Sequence, residues 1–129
     1  MVLKDLADKL NIELSSSIAR FGGNEMLFMK FLKKFPDDNT FKALEESFLN
    51  KDYDEMERSA HTLKGISANL GLNDISRLSD DIVVALRNKN LDNIDDMFKK
   101  LETSYKIALD EIVRFEWFFP RKGGLVLEY

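Results

Sequence analysis

Apolar residues recur at intervals of three and four along almost the whole chain, which is the spacing of amphipathic helices. No segment alternates apolar and polar residues as a strand would. The first segment begins with a short lead-in helix on Leu3, Leu6 and Leu10, and Leu14, Ile18 and Phe21 continue its spacing. The longest segment carries it on Ile94, Met97, Leu101, Tyr105, Ala108, Ile112 and Phe115. The sequence therefore predicts an all-α protein.

Residues that cap or break helices divide this pattern into segments. Asn24 can begin a second segment, and Pro36 ends it. Its predicted inward face holds Phe28, Phe31, Leu32 and Phe35. A third segment, from about Asp38 to Asn50, is predicted to turn inward Phe41, Leu44, Phe48 and Leu49.

The next helix has the clearest start and end signals. Asp52 with Glu55 three residues later resembles a capping pair, and Gly71 is suited to the left-handed position that closes a helix. Asn73 can begin the following helix, whose inward residues are Ile75, Leu78, Ile82 and Leu86. Four amphipathic helices joined by short turns predict an up-and-down antiparallel four-helix bundle, with the additional short N-terminal helices as a lid.

Composition limits the functions open to this chain of 129 residues. A formal net charge of −4 gives no support to nucleic-acid binding, and the absence of cysteine excludes disulfides and thiolate metal sites. We expect no membrane segment and a cytoplasmic location.

Residues 1–116 are predicted to form one helical domain. The tail, residues 117–129, has three open interpretations: packing over the bundle end, partner binding, or a remnant of expression.

The only histidine, His61, is predicted to point away from the core. On its helix, the apolar stripe is formed by Met56, Ala60, Leu63, Ser67 and Leu70. At about 100° per residue, His61 lies roughly 140° from the centre of that stripe. A buried structural histidine is therefore disfavoured, whereas an incidental surface histidine remains an alternative.

Neighbours of His61 favour a functional interpretation. Gly65 lies about 40° from His61 on the same face, and a glycine inside a helix costs about 1 kcal/mol relative to alanine. Its physical use would be to let another molecule approach the imidazole. Ala68, one turn further on, also has a small side chain that leaves space on this face. Lys64 can bring a positive charge to the same space, which a transferred phosphoryl group needs.

The chemistry available to His61 is narrow. A neutral imidazole keeps a lone pair that can attack an activated acyl phosphate. Hydrolysis would need an activated water, an oxyanion site or a metal, and a di-iron bundle would need a second histidine. No glycine-rich nucleotide loop is present, so ATP is not a plausible direct donor. These residues predict a phosphoryl carrier.

The segment His61-Thr-Leu-Lys64-Gly65, followed by Leu70-Gly71, resembles the signature of histidine-containing phosphotransfer (HPt) domains of two-component phosphorelays. The similarity extends over about residues 10–115. Ile18-Ala-Arg-Phe-Gly22-Gly23-Asn-Glu resembles the turn before the family's second bundle helix. The stretch from Leu49 to His61 resembles the approach to its active histidine.

The resemblance implies that His61 is phosphorylated by a receiver-domain aspartate and passes the group to another receiver. It implies that Lys64 steadies the phosphoryl charge and that Gly65 clears the docking path. Partners would be response regulator receivers and a sensor or hybrid histidine kinase, in contact with Ala68, Asn69 and Arg87. We expect a monomer without cofactor, since Mg²⁺ would belong to the receiver.

Three points stay open at the level of sequence. Where some HPt domains have a glutamine beside the active histidine, this chain has Val83. The first open point is therefore which residue orients the His61 ring. A chemotaxis-type phosphotransfer domain, phosphorylated by an ATP-dependent kinase domain, is one alternative function. A non-enzymatic adaptor bundle with an incidental His61 is another.

Overall fold

The computed structural model describes residues 2–117 and 119, and all regular structure in this part of the chain is helical. The all-α prediction is therefore confirmed. The α-helices are α1 (Leu3–Lys9), α2 (Leu14–Ala19), α3 (Glu25–Lys34), α4 (Thr40–Leu49), α5 (Tyr53–Leu70), α6 (Asn73–Arg87) and α7 (Ile94–Arg114). A short 3₁₀ turn, Phe35–Asp37, lies between α3 and α4 at the proline that was predicted to end α3.

Helices α4 to α7 pack side by side in chain order, and the short turns between them reverse the chain direction. Helix α3 packs against α5 and α7, α1 lies against α7, and α2 lies against α3. The predicted four-helix bundle with additional short N-terminal helices is thus confirmed.

Local signals are present at three of the helix ends that the sequence predicted. The side chain of Asn24 accepts a hydrogen bond from the Leu27 backbone N–H (3.0 Å), and Asp52 accepts one from that of Glu55 (3.2 Å). Gly71 follows α5 with φ of +79°, the left-handed conformation that favours glycine. These caps determine where α5 begins and ends, and therefore where its residues face.

A stack of aromatic rings joins α4 to α7 on one side of the core. Phe41 stacks on Tyr105 with ring centroids 4.0 Å apart, and Phe48 stacks on Phe98 at 4.2 Å. Burial raises the pKa of Tyr105, and the negative charge of Asp38 raises it further. Since these rings hold α7 against α4, α5 and α6 are left to form the opposite side of the bundle.

Two residues predicted to face inward are instead exposed. Phe31 is 50% exposed because Phe28 and Leu32 occupy the centre of the α3 stripe and Phe31 lies at its edge, against the ring of Phe21. Leu49 is 70% exposed, because it is the last residue of α4 and the preceding residue takes the inward direction. Successive helical residues point about 100° apart, so at the edge of a buried stripe one of two neighbouring apolar residues can turn toward solvent.

The chain after α7 begins by packing against the bundle. The Trp117 indole N–H donates to the backbone carbonyl of Ile112 (3.0 Å), and its ring meets Phe115 edge to face. The Phe119 ring lies near Trp117, with the Lys33 ammonium 5.4 Å from its centroid. The remainder of the predicted 117–129 tail lies outside the described residues.

Truncation of the aromatic stack should cost much of the protein's stability. Phe98→Ala removes a nearly fully buried ring, and we expect the free energy of unfolding to fall by about 3–5 kcal/mol in urea denaturation. Ile107→Ala, an exposed apolar truncation on the same helix, is the control and should cost less than about 1 kcal/mol. Equal losses in the two variants would contradict this account of the core.

Candidate functional site

Helix α5 presents His61 to solvent. The residues predicted to form its inward stripe are all buried: Met56, Ala60, Leu63, Ser67 and Leu70. His61 and Gly65 are exposed on the opposite side, one turn apart, and Ala68 is exposed one turn further on. The predicted orientation of His61 is therefore confirmed.

Two ion pairs between α5 and α6 lie on either side of His61. The Lys64 ammonium is 2.9 Å from an Asp80 carboxylate oxygen, and Arg87 Nε is 3.2 Å from a Glu57 carboxylate oxygen. Lys64 lies one turn after His61 and Glu57 one turn before it. The earlier residue on α5, Glu57, pairs with the later residue on α6, Arg87, and the reverse holds for Lys64 and Asp80. The two helices are therefore antiparallel.

Both pairs are partly exposed to water and therefore weak. The side chains of Lys64 and Asp80 are 41% and 42% exposed, and those of Arg87 and Glu57 are 57% and 35% exposed. Ion pairs of this kind contribute about 0–1 kcal/mol to stability. They order the side chains around His61, but a new charge placed beside the imidazole can displace either partner at small cost.

At the level of His61, α6 offers only apolar side chains. Val83 is 1% exposed, so it packs between the helices, and the neighbouring Val84 is exposed. Neither side chain can donate or accept a hydrogen bond. In the described part of the chain, hydrogen bonds connect the residues around His61, such as Thr62 to the Arg58 carbonyl, but none involves the imidazole.

Gly65 leaves open space on the exposed face. A Cβ atom built at this position would meet no atom within 4 Å apart from its own local backbone. Packing therefore does not require glycine here, and its backbone geometry is that of the helix. What glycine provides here is open space beside the imidazole, because the side chain of any larger residue would project into that space.

Helix α6 holds Lys64 at its backbone as well as at its side chain. The Ser76 hydroxyl donates to the Lys64 carbonyl (3.1 Å), and Ser76 lies one turn before Asp80 on α6. The buried Ser67 hydroxyl donates within α5, to the Leu63 carbonyl (2.6 Å). The contacts from Ser76 and Asp80 therefore hold Lys64 against α6.

The N-terminal helices are fastened to the end of α5. Arg20, at the end of α2, donates from Nε to the Asn69 carbonyl (3.1 Å) and from a terminal nitrogen to the Ser17 hydroxyl (3.0 Å). Gly71 lies so close to Ser17 and Ile12 that a side chain at this position would collide with them. The lid and the last turn of α5 therefore form one packed unit.

The sequence-predicted site residues share one face but do not form a single cluster. His61, Lys64, Gly65 and Ala68 lie together on α5, whereas Arg87 lies at the level of Glu57 and Asn69 lies near the other end of the helix. At 1.5 Å per residue, this face extends roughly 18 Å from Glu57 to Asn69.

Three partners in these contacts were not predicted from the sequence: Asp80, Glu57 and Arg20. The antiparallel arrangement of α5 and α6 was predicted, so their register could have suggested the two interhelical pairs. The contact of Arg20 with Asn69 joins residues far apart in the chain, and nothing in the local pattern signals it.

Comparison with known families identifies the class of protein. The model of the family described as "Hpt domain" matches residues 29–112, which is more than half of the chain. The chain therefore belongs to the Hpt domain family. Hpt domains are phosphocarrier modules that carry out histidine phosphotransfer in two-component systems. No curated protein and no solved structure shows significant similarity to the chain.

Across residues 2–117 and 119, histidine, cysteine, aspartate and glutamate side chains do not gather in any group of three or more that could hold a metal ion. None of the helices in this part of the chain has both the length and the apolar character needed to cross a bilayer.

Gly65→Ala should stabilise the protein. The added methyl group meets open space and improves helix propensity, so the free energy of unfolding should rise by up to about 1 kcal/mol. This corresponds to a rise in melting temperature of roughly 2–6 °C in thermal unfolding followed by circular dichroism.

Gly71→Ala is the matched control for this prediction. The same substitution there meets Ser17 and an unfavourable positive φ, so it should cost more than about 1 kcal/mol. A Gly65→Ala protein less stable than the wild type would show that Gly65 is a packing residue.

Proposed function

We propose that this protein is a phosphorelay shuttle in which His61 accepts a phosphoryl group from a receiver-domain aspartate and passes it to another response regulator receiver. The observation that supports this most directly is the exposed imidazole beside Gly65, where a side chain would project into open space. Membership of the Hpt family provides the class of reaction.

The transfer needs little chemistry from the carrier itself. The lone pair of one His61 ring nitrogen attacks the phosphorus atom of the aspartyl phosphate. A nitrogen–phosphorus bond forms, the acyl oxygen–phosphorus bond breaks, and its electron pair returns to the receiver's carboxylate. The second receiver reverses these changes with its own aspartate. Mg²⁺ would be held by the receiver, and the carrier would need no nucleotide site of its own.

Residues around His61 would have separate roles in this reaction. Lys64 would place positive charge beside the phosphoryl oxygens, and Gly65 would let the receiver reach the imidazole. Ala68, Asn69 and Arg87 would contact the docked partner, since they extend the exposed face on both sides of His61. A sensor or hybrid histidine kinase would be the source of the phosphoryl groups that enter the relay. We expect the carrier to act as a cytoplasmic monomer.

Replacement of His61 should abolish phosphorylation. We expect the wild-type protein, incubated with a phosphorylated receiver, to gain an acid-labile, base-stable label that His61→Gln does not acquire. Circular dichroism should show equal helicity in the two proteins, because His61 is exposed and makes no hydrogen bond in the described structure. Labelling of the variant would refute His61 as the acceptor.

The same assay, repeated with a histidine kinase and ATP in place of the receiver, tests the chemotaxis-type alternative. Labelling from the kinase but not from phosphorylated receivers would favour that alternative. A wild-type protein that takes no label from either source would favour the adaptor interpretation.

Size at position 65 should control the rate of transfer without a loss of stability. Gly65→Gln should slow transfer from a phosphorylated receiver in rapid-mixing experiments, because the longer side chain obstructs docking, whereas Gly65→Ala should have a smaller effect. Both residues favour helix over glycine, so neither variant should melt at a lower temperature. Unchanged rates in folded Gly65→Gln protein would exclude the clearance role.

A further inference from the structure

Asp80 has no part in the function proposed above, yet it contacts the lysine assigned to the phosphoryl charge. Its carboxylate oxygen is 2.9 Å from the Lys64 ammonium. Each of the two side chains is about two-fifths exposed. The contact is therefore open to solvent and within reach of a third charged group.

Helix α6 determines where the Lys64 ammonium lies. Lysine has a flexible four-carbon side chain, so its charge has no preferred position without a partner. Here the Ser76 hydroxyl holds the backbone carbonyl of Lys64, and Asp80, one turn later on α6, holds the ammonium. The lysine consequently rests against α6, one turn from His61.

A phosphoryl group on His61 would compete for the same ammonium. It would bring roughly 1.5 to 2 negative charges, as on other phosphorylated side chains. Residues three apart on a helix have Cβ atoms about 5–6 Å from each other, so Lys64 can reach the group. The neighbouring cation Arg87 is paired with Glu57, and it lies on the other side of His61.

We propose that Asp80 is a positioning residue that holds the Lys64 ammonium while His61 is unphosphorylated and competes with the phosphoryl group for it afterwards. This inference rests on the proposed function of His61 and Lys64. Competition by Asp80 lowers the stability of the phosphohistidine, so the group stays easy to transfer to the next receiver.

The test measures phosphoryl exchange at equilibrium between one receiver and the full chain. Asp80→Asn should shift the equilibrium toward phosphorylated His61 by about two- to fivefold, the size expected from a partly exposed ion pair, and should lengthen the phosphohistidine lifetime. Asp80→Glu, which keeps the carboxylate, should stay closer to the wild type than Asp80→Asn. Asp81→Asn removes the same charge from the next, exposed residue and is the matched control.

A double-mutant cycle with Lys64→Ala shows whether Asp80 acts through the lysine. The Asp80→Asn shift should largely disappear in the Lys64→Ala background. A shift of equal size in both backgrounds would mean direct repulsion between the carboxylate and the phosphoryl group, which would overturn the proposal. An equal shift in Asp81→Asn would overturn it as well.

The controls separate this inference from the function on which it rests. If the wild type is phosphorylated on His61 but Asp80→Asn behaves like the wild type, only the role of Asp80 is refuted. If the wild type takes no label on His61, the proposed function fails and the role of Asp80 fails with it. Melting temperatures of all variants should agree closely, since the pair is partly exposed.

Discussion

The antiparallel packing of α5 against α6 is the interaction on which the rest of the site depends. Buried side chains of both helices, such as Leu63 and Ile82, fix their rotation about their own axes. Once that rotation is fixed, His61 must face solvent, and the polar residues flanking it must face their partners on α6. The ion pairs of Lys64 and Arg87 are too weak to set this arrangement, so they are its consequence.

Most of the fold could be predicted from spacing alone, because a helix that buries one stripe necessarily exposes the opposite side. The orientation of His61 followed from the stripe on α5, and its helix ends followed from Asp52 and Gly71. The exposure of Phe31 could not be predicted, because an apolar residue at the edge of a stripe can be either buried or exposed and the spacing is the same in both cases. The partner of Lys64 depends on the register between α5 and α6, and the spacing of residues within one helix gives no information about that register.

The charges beside His61 are arranged in pairs of opposite sign. In the proposed function this matters because the phosphoryl group must be both accepted and released. A cation without a partner would give an added phosphoryl group the full, though modest, electrostatic stabilisation that a partly exposed site allows, and release to a second protein would then be less favourable. A cation that already has a carboxylate partner offers less net stabilisation. The pairs at Lys64 and at Arg87 thus suit a carrier, whose phosphorylated form must stay close in free energy to that of its partners.

The contact between Arg20 and the Asn69 carbonyl has a mechanical consequence for the whole exposed face. Because Arg20 ends α2 and Asn69 belongs to the last turn of α5, a hydrogen bond joins α2 to the histidine helix at that end. A protein that touches both would meet two helices whose relative position is restricted by this bond and by the close approach of Gly71 to Ser17. Loss of α2 would leave the last turn of α5 without its guanidinium donor and would uncover Gly71, so fraying would begin on the helix that carries His61.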